Sequence, residues 1–192
     1  AVGIGRMGGA DGPGSGSEGE EEKEKRPPIA YQVLASQIEA LAWGDVGMYL
    51  VTPGGGLGAA AVQAAGTPEQ RAKFLARFTE EKPTFAAMCM TEAGAGSDTS
   101  AIRTRAVLDE KTNEWVINGE KIFVTDGYRS KQVVVWASLD LKLGKAAIKS
   151  FLVPKGTPGM TVTRVEHKLG IRSSDTAQIV FENCRVPRAN LL

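Results

Sequence analysis

At Pro83 the spacing of apolar residues changes from the three-to-four repeat of a helix to the alternation of a strand, and that switch divides the fold in two. Before it, Leu34, Ile38, Leu41 and Val46 keep helical spacing, with Ala35 and Ala42 between them. Gly44 and Gly47 weaken this helix near its end, and Pro53-Gly54-Gly55-Gly56 stops any continuation. A small-residue helix over Leu57 to Ala65 closes at Gly66. Thr67-Pro68-Glu69-Gln70 then combines three signals of a helix start. Thr67 can cap, Pro68 suits the first helical position, and Gln70 completes a capping box. That helix is expected to reach about Glu80 and must stop before Pro83.

Beyond Pro83, Phe85, Ala87 and Cys89 share one strand face, and Ile102, Thr104, Ala106 and Leu108 share another, with Arg103 and Arg105 opposite. Trp115-Val116-Ile117 and Ile122-Phe123-Val124 flank Asn118-Gly119, a pair suited to a type I′ turn, so a hairpin is expected there. Gln132 to Ser138, Ala147 to Val153, Met160 to Val165 and Ala177 to Phe181 supply further strands. Many short strands between turns indicate an antiparallel barrel or sandwich, not a parallel sheet. The expected class is α+β: a short N-terminal helical segment followed by an antiparallel β-barrel or orthogonal-sheet domain. Residues 1–28 read as a disordered tail, 29–83 as a partial helical domain and 84–192 as the β-domain. The tail is Gly-rich, then charged from Glu18 to Arg26, and has too few large apolar groups to offset the entropy of ordering.

Composition removes several function classes. A net charge of +1 offers no concentrated basic face for nucleic acid. No apolar run is long enough for a membrane span, and the first residues lack the apolar core of a signal peptide. Cys89 and Cys184 lie far apart without metal-ligand spacing, so they read as buried free thiols in a reducing compartment, and no metal site is expected. His167 is the only histidine, which rules out a histidine pair or triad and suits an exposed loop.

The stretch most suggestive of chemistry is Met88-Cys89-Met90-Thr91-Glu92-Ala93-Gly94-Ala95-Gly96-Ser97-Asp98, a strand entering a Gly-rich loop. Two positions without side chains let backbone N–H groups approach an anion, and Thr91 and Ser97 add hydroxyl donors. It is not a Walker loop, which needs Gly-Lys-Ser/Thr where Gly96-Ser97-Asp98-Thr99 stands. Nor is it a Rossmann fingerprint, which needs a third glycine and a following helix where Arg103 to Leu108 alternates as a strand. Glu92 and Asp98 could imitate a paired-carboxylate site, but bracing of the turn by hydrogen bonds is the simpler reading.

Thr91 to Asp98 is followed in order by Trp115-Val116-Ile117-Asn118-Gly119-Glu120-Lys121, Phe123-Val124-Thr125-Asp126-Gly127, Phe151-Leu152-Val153 with Gly156-Thr157-Pro158-Gly159, Lys168-Leu169-Gly170 with Ser173-Ser174-Asp175-Thr176, and Phe181-Glu182-Asn183-Cys184-Arg185-Val186-Pro187. Over about Ile29 to Leu192 this ordered set resembles the acyl-CoA dehydrogenase family. The departures are Ala93 where the family commonly has Pro, and Phe123 where Trp is frequent.

The resemblance implies FAD as cofactor, with Met88, Met90, Thr91, Gly96, Ser97, Phe123, Val124 and Thr125 along it. Thr91 is placed near the pyrimidine edge of the flavin, Thr125 near its hydride-accepting nitrogen and Phe123 on its face. Ser97 serves the pyrophosphate and the acyl-CoA mouth, while Arg103 and Arg105 remain a solvated face or a contact to CoA phosphates. The implied reaction is α,β-dehydrogenation of a saturated acyl-CoA to a 2-enoyl-CoA, with an electron-transfer flavoprotein as acceptor. Acyl-CoA oxidase and a non-catalytic β-domain serving as an interaction module are the competing readings. In the family the base is a glutamate of a C-terminal helical domain, so no catalytic residue is expected up to Leu192, and the chain alone is expected to be inactive. Complete members form tetramers, with a cytoplasmic place in bacteria and a mitochondrial-matrix place in eukaryotes. An exposed apolar face on the sheet and self-association are expected of this chain.

Overall fold

The computed structural model describes residues 28–51, 56–78 and 84–192. The expected tail lies outside the described residues except for Pro28, which opens helix α1 (Pro28–Leu50) at a position where its missing N–H costs nothing. The backbone leaves the helical region at Asp45 (φ −165°, ψ 113°). Its Oδ1 accepts the Met48 N–H at 2.7 Å, so Asp45 caps a second short helical stretch.

Helix α2 (Gly56–Ala65) and helix α3 (Pro68–Leu75) follow. The capping box forms as the sequence predicts: Gln70 N–H donates to Thr67 Oγ1 at 3.2 Å and Thr67 N–H to Gln70 Oε1 at 2.8 Å. Gln70 Nε2 also donates to the carbonyls of Ala189 and Leu191 at 2.8 and 2.7 Å, fastening α3 to the far end of the chain. α3 ends at Leu75 and tightens into a 3₁₀ turn over Ala76–Phe78, while residues 79–83, and with them the expected end near Glu80, lie outside the described residues.

Seven strands make one curled sheet: β1 (Ala86–Cys89), β2 (Arg105–Asp109), β3 (Glu114–Thr125), β4 (Gln132–Ser138), β5 (Ile148–Pro154), β6 (Met160–Val165) and β7 (Thr176–Pro187). Their order is β1-β4-β2-β3-β7-β6, with β5 paired to β4 off that path. The α+β class therefore holds, with two differences from the expected pattern.

The sheet is mixed. β1 runs parallel to β4 from Ala86↔Gln132 to Cys89↔Val135, and β2 meets β4 in parallel at Arg105↔Ser138. Parallel pairing needs a long crossover, and here residues 90–131 supply it, with the β2–β3 hairpin inside. The hairpin expected at Asn118-Gly119 does not form. β3 runs straight through that pair, and the β2–β3 turn comes earlier, with Asn113 at φ 56°. Gly119 is needed for close approach: at its φ of 152°, an added Cβ would stand 2.7 Å from Thr104 Cα. Asn118 Oδ1 accepts the Asn183 N–H at 2.8 Å where the β3–β7 register slips. Pairing along β7 overrides the local turn preference.

One face of the sheet encloses Ile117, Val133, Val135, Phe151, Ile179 and Phe181, with Trp115 edge-on to Phe151 at 5.3 Å. The other packs Val134 and Leu152 against Val62 of α2 and Phe74 of α3. Gly58 lets α2 sit close, since a Cβ there would lie 2.7 Å from Ala86. α1 contributes little: Ile29, Tyr31, Val33, Leu41, Trp43, Val46, Met48 and Leu50 are all exposed. Large exposed apolar groups thus gather on α1 and in loops more than on the sheet face where the sequence placed them. Cys89 and Cys184 are free and buried, as expected. Burial pushes their thiols up to about 12 and about 11, the Cys89 value despite the opposing pull of Lys121, which leaves both poor nucleophiles.

Candidate functional site

The loop after β1 and the last residues of β3 meet. Glu92 and Ala95 exchange backbone hydrogen bonds of 3.0 and 3.1 Å, closing a tight turn with Ala93-Gly94 at its tip. Gly94 and Gly96 lie outside the left-handed region, and among the described residues no atom beyond their chain neighbours lies within 4 Å of where their Cβ atoms would be. Neither backbone strain nor internal packing calls for glycine there, so the bare backbone is available to a group from outside. Gly96 and Ser97 are exposed, and Met88, Met90 and Thr91 are half-buried.

On β3 the inward positions Trp115, Ile117 and Lys121 alternate until a bulge intervenes. Lys121 pairs with Ile179 and Val124 with Ala177, so Ile122 and Phe123 stand opposite Gln178 alone. The bulge places Val124 in the core at 1% exposure and sends Phe123 outward at 63%, with φ 55°. A left-handed backbone at a bulky residue costs on the order of 1–3 kcal/mol, and such strain gathers at functional sites. Phe123 is therefore no core aromatic. Thr125 is half-buried, and Ile122 N–H donates to the Thr91 carbonyl at 2.9 Å, joining the two elements. Within the described residues no hydrogen bond occupies the hydroxyls of Thr91, Ser97 or Thr125. Of the eight sequence-designated positions, Val124 is buried in the core, Gly96, Ser97 and Phe123 are exposed, and Met88, Met90, Thr91 and Thr125 are half-buried.

Behind the turn stands a group that the sequence pattern alone did not single out. Lys121 is fully buried, and its Nζ donates to the Met90 carbonyl at 2.9 Å and to Glu92 Oε1 at 2.8 Å. Glu92 also accepts from Arg103 N–H at 2.7 Å, Thr104 N–H at 3.0 Å and Thr104 Oγ1 at 2.6 Å. Burial alone would raise the Glu92 carboxyl, but the Lys121 ammonium, the Thr104 hydroxyl and two backbone N–H groups outweigh it and hold the carboxyl below its ordinary range. Burial pushes the Lys121 ammonium down, against the opposing pull of Glu92. A lysine at an inward position of an alternating strand was the available signal for a buried partner. Asp98 is separate: it caps the 3₁₀ turn Thr99–Ala101 through Ser100 N–H. The two carboxylates brace the loop and do not pair.

Beside Met90, an open cleft of about 200 Å³ is lined by Thr99, Ile102, Trp136, Lys145 and Ile148. On the other flank, Asp175 accepts from Arg129 Nε at 2.6 Å and from Tyr128 N–H at 2.8 Å. Asp126, at φ 58°, has an Oδ1 without a hydrogen-bond partner. Burial and the neighbouring Asp175 push its carboxyl above the ordinary range, against Arg129 and Lys168. His167, Arg103 and Arg105 are exposed. Among the described residues no cluster of His, Cys, Asp and Glu could hold a metal, and no helix is long and apolar enough to cross a membrane.

The family profile described as "Acyl-CoA dehydrogenase, middle domain" matches residues 87–184. An acryloyl-CoA reductase (NADH) of Anaerotignum propionicum is 44% identical over 132 residues, 69% of this chain and 33% of that protein. The chain thus spans about a third of the length of the curated relatives it matches. Butyryl-CoA dehydrogenase from Megasphaera elsdenii superimposes with a TM-score of 0.75 at 33% identity, covering 83% of this chain and 41% of that one. A glutaryl-CoA dehydrogenase from Mycobacterium smegmatis, solved in complex with FADH2, does so at 0.71 and 30% identity, covering 85% and 40%.

Proposed function

This chain belongs to the acyl-CoA dehydrogenase family, and from that premise we propose that its turn-and-bulge face is the flavin-facing side of an FAD-dependent enzyme acting on a saturated acyl-CoA. The observation that carries the proposal is the Ile122 N–H to Thr91 carbonyl bond, which joins the Gly-rich turn to the strand just before the exposed Phe123. The residues fit the cofactor. Phe123 offers an aromatic face, Thr91 and Thr125 offer unoccupied hydroxyls, and Gly96-Ser97 offers open backbone and a hydroxyl for the pyrophosphate. Met88 and Met90 would line the cofactor, and Val124, its side chain in the core, would meet it through its backbone. Ser97 also stands at the acyl-CoA mouth.

When bound, FAD supplies hydride acceptance at the substrate carbon two removed from the thioester carbonyl. The chain's own residues bind and orient the ring and shield one side of it from water. The cleft beside Met90 is small against the ~300–1,000 Å³ of typical ligand pockets, so it would cover only part of a dinucleotide cofactor. Neither carboxylate of the Gly-rich turn is available for proton removal, because Glu92 is saturated with donors and Asp98 is engaged as a cap. A general base is worth roughly 10²–10⁴ in rate, so the chain alone binds flavin without turning over. In the whole protein, an electron-transfer flavoprotein as acceptor, a tetrameric assembly, and a bacterial cytoplasm or mitochondrial matrix complete the reading.

The test is a titration of the chain with FAD followed by butyryl-CoA and a dye acceptor. Quenched flavin fluorescence without dye bleaching is expected. Fluorescence unchanged at saturating protein would overturn the cofactor assignment, and bleaching at rates ordinary for an enzyme would overturn the placement of the base.

A further inference from the structure

We propose that Lys121 and Glu92 are positioning residues that hold Thr91 and the Gly-rich turn in register with the β3 bulge for the cofactor, an inference that rests on the flavin assignment. Lys121 Nζ reaches both neighbours of Thr91, the Met90 carbonyl at 2.9 Å and the Glu92 carboxylate at 2.8 Å, while the next residue, Ile122, takes the Thr91 carbonyl itself. Three consecutive loop residues are thus tied to two consecutive strand residues immediately before Phe123. Glu92 carries the tie onward to Arg103 N–H, Thr104 N–H and Thr104 Oγ1. Gly119 lets Thr104 close in from the other side, with its Cα 2.7 Å from where a Cβ on Gly119 would be.

Stability alone does not call for such a pair. Desolvating two charges offsets most of their attraction, and a buried ion pair is often replaceable by apolar groups at no loss. What apolar groups cannot do is bind a main-chain carbonyl and a carboxylate at once from one strand position. The Lys121 ammonium does so from full burial, which makes the pair a device for geometry.

Two roles make different predictions for K121M, E92Q and the double variant K121M/E92Q. K121M strands the carboxylate and lowers the melting temperature most. The double variant strands no charge and keeps one amide oxygen as acceptor for Thr104 while Arg103 N–H loses its carboxylate partner, so it recovers part of that loss. FAD affinity, read by fluorescence quenching of the 192-residue chain, should stay about ten-fold or more weaker in both K121M and the double variant, with an altered visible band of the bound flavin, as supporting-shell changes typically give. A folded double variant binding FAD within about two-fold of the unmodified chain, with an unaltered band, would reduce the pair to a stabilising element and sink the proposal. If K121M and the double variant do not fold, E92Q decides on the same readout: unchanged affinity and spectrum overturn the proposal, and a weaker, shifted flavin supports it. Failure of the unmodified chain to bind FAD is a different result, because it removes the flavin assignment itself before any variant is compared.

Discussion

Trp115 and Trp43 are the same residue in two regions. Trp115 is 9% exposed and meets Phe151 edge-on, whereas Trp43 is 91% exposed on α1. The strands sort their side chains by parity, so the apolar groups on the inward face share one core. Along α1 the apolar groups are spread around the axis: Ile29, Tyr31, Leu41 and Met48 are all more than half exposed. A helix apolar on several sides needs neighbours on several sides, and α1 touches the rest of the described chain chiefly where Gly47 meets Ser173. Burial is thus decided by what stands opposite a residue, and the sheet, unlike α1, provides its own opposite.

The sharpest way to break this contrast is a pair of truncations. Phe151→Ala should cost about 3–5 kcal/mol in denaturant unfolding, and Trp43→Ala should fall within about 0.5 kcal/mol of the unmodified chain. Equal losses would mean that α1 is as integral to the fold as the sheet. Gly119→Ala is next in size: a Cβ beside Thr104 is expected to cost roughly 1–3 kcal/mol as overpacking. A neutral result in thermal unfolding would place the Asn118-Gly119 pair in a loose turn after all.

The smallest effect sharpens a contrast within the β-domain. Asp126 is held above its ordinary value, so the folded state binds its proton more readily than the unfolded state, and stability falls as pH rises from the ordinary aspartate range through the raised value. Glu92 is held below its ordinary value, so its contribution is present above the ordinary glutamate range and fades as pH falls through the lowered one. Asp126→Asn, suited to φ 58°, should stabilise the chain at neutral pH and leave the acid-side loss, to which Glu92 contributes with Glu69, Asp98 and Asp109. An unchanged pH–stability curve in that variant would show that Asp126 is not strained by its charge.

Much of the fold is legible in the sequence alone. The limits of β4 and β6, the capping box at Thr67 and Gln70, and the alternation of Ile102, Thr104 and Ala106 arise from local pattern, and local pattern is visible in the residues themselves. The nearness of Thr91 to Phe123 is legible only through the family resemblance, since no local rule brings residues so far apart together. Asn118-Gly119 misleads because a dipeptide preference worth little energy competes with a whole strand's pairing to β7. The parallel β1–β4 pair is hidden because chain direction depends on the crossover, not on either strand. Lys121 is hidden because charge is ordinarily read as solvent-facing.

The β3 bulge gives the strand a reading frame in space. Shortening the segment between Lys121 and Val124 by a single residue would restore plain alternation, with one residue opposite Gln178 and both Lys121 and Val124 still facing inward, and would remove the left-handed setting that turns Phe123 outward. The core does not call for the extra residue, so what it secures lies on the outer surface, in the way Phe123 is presented there.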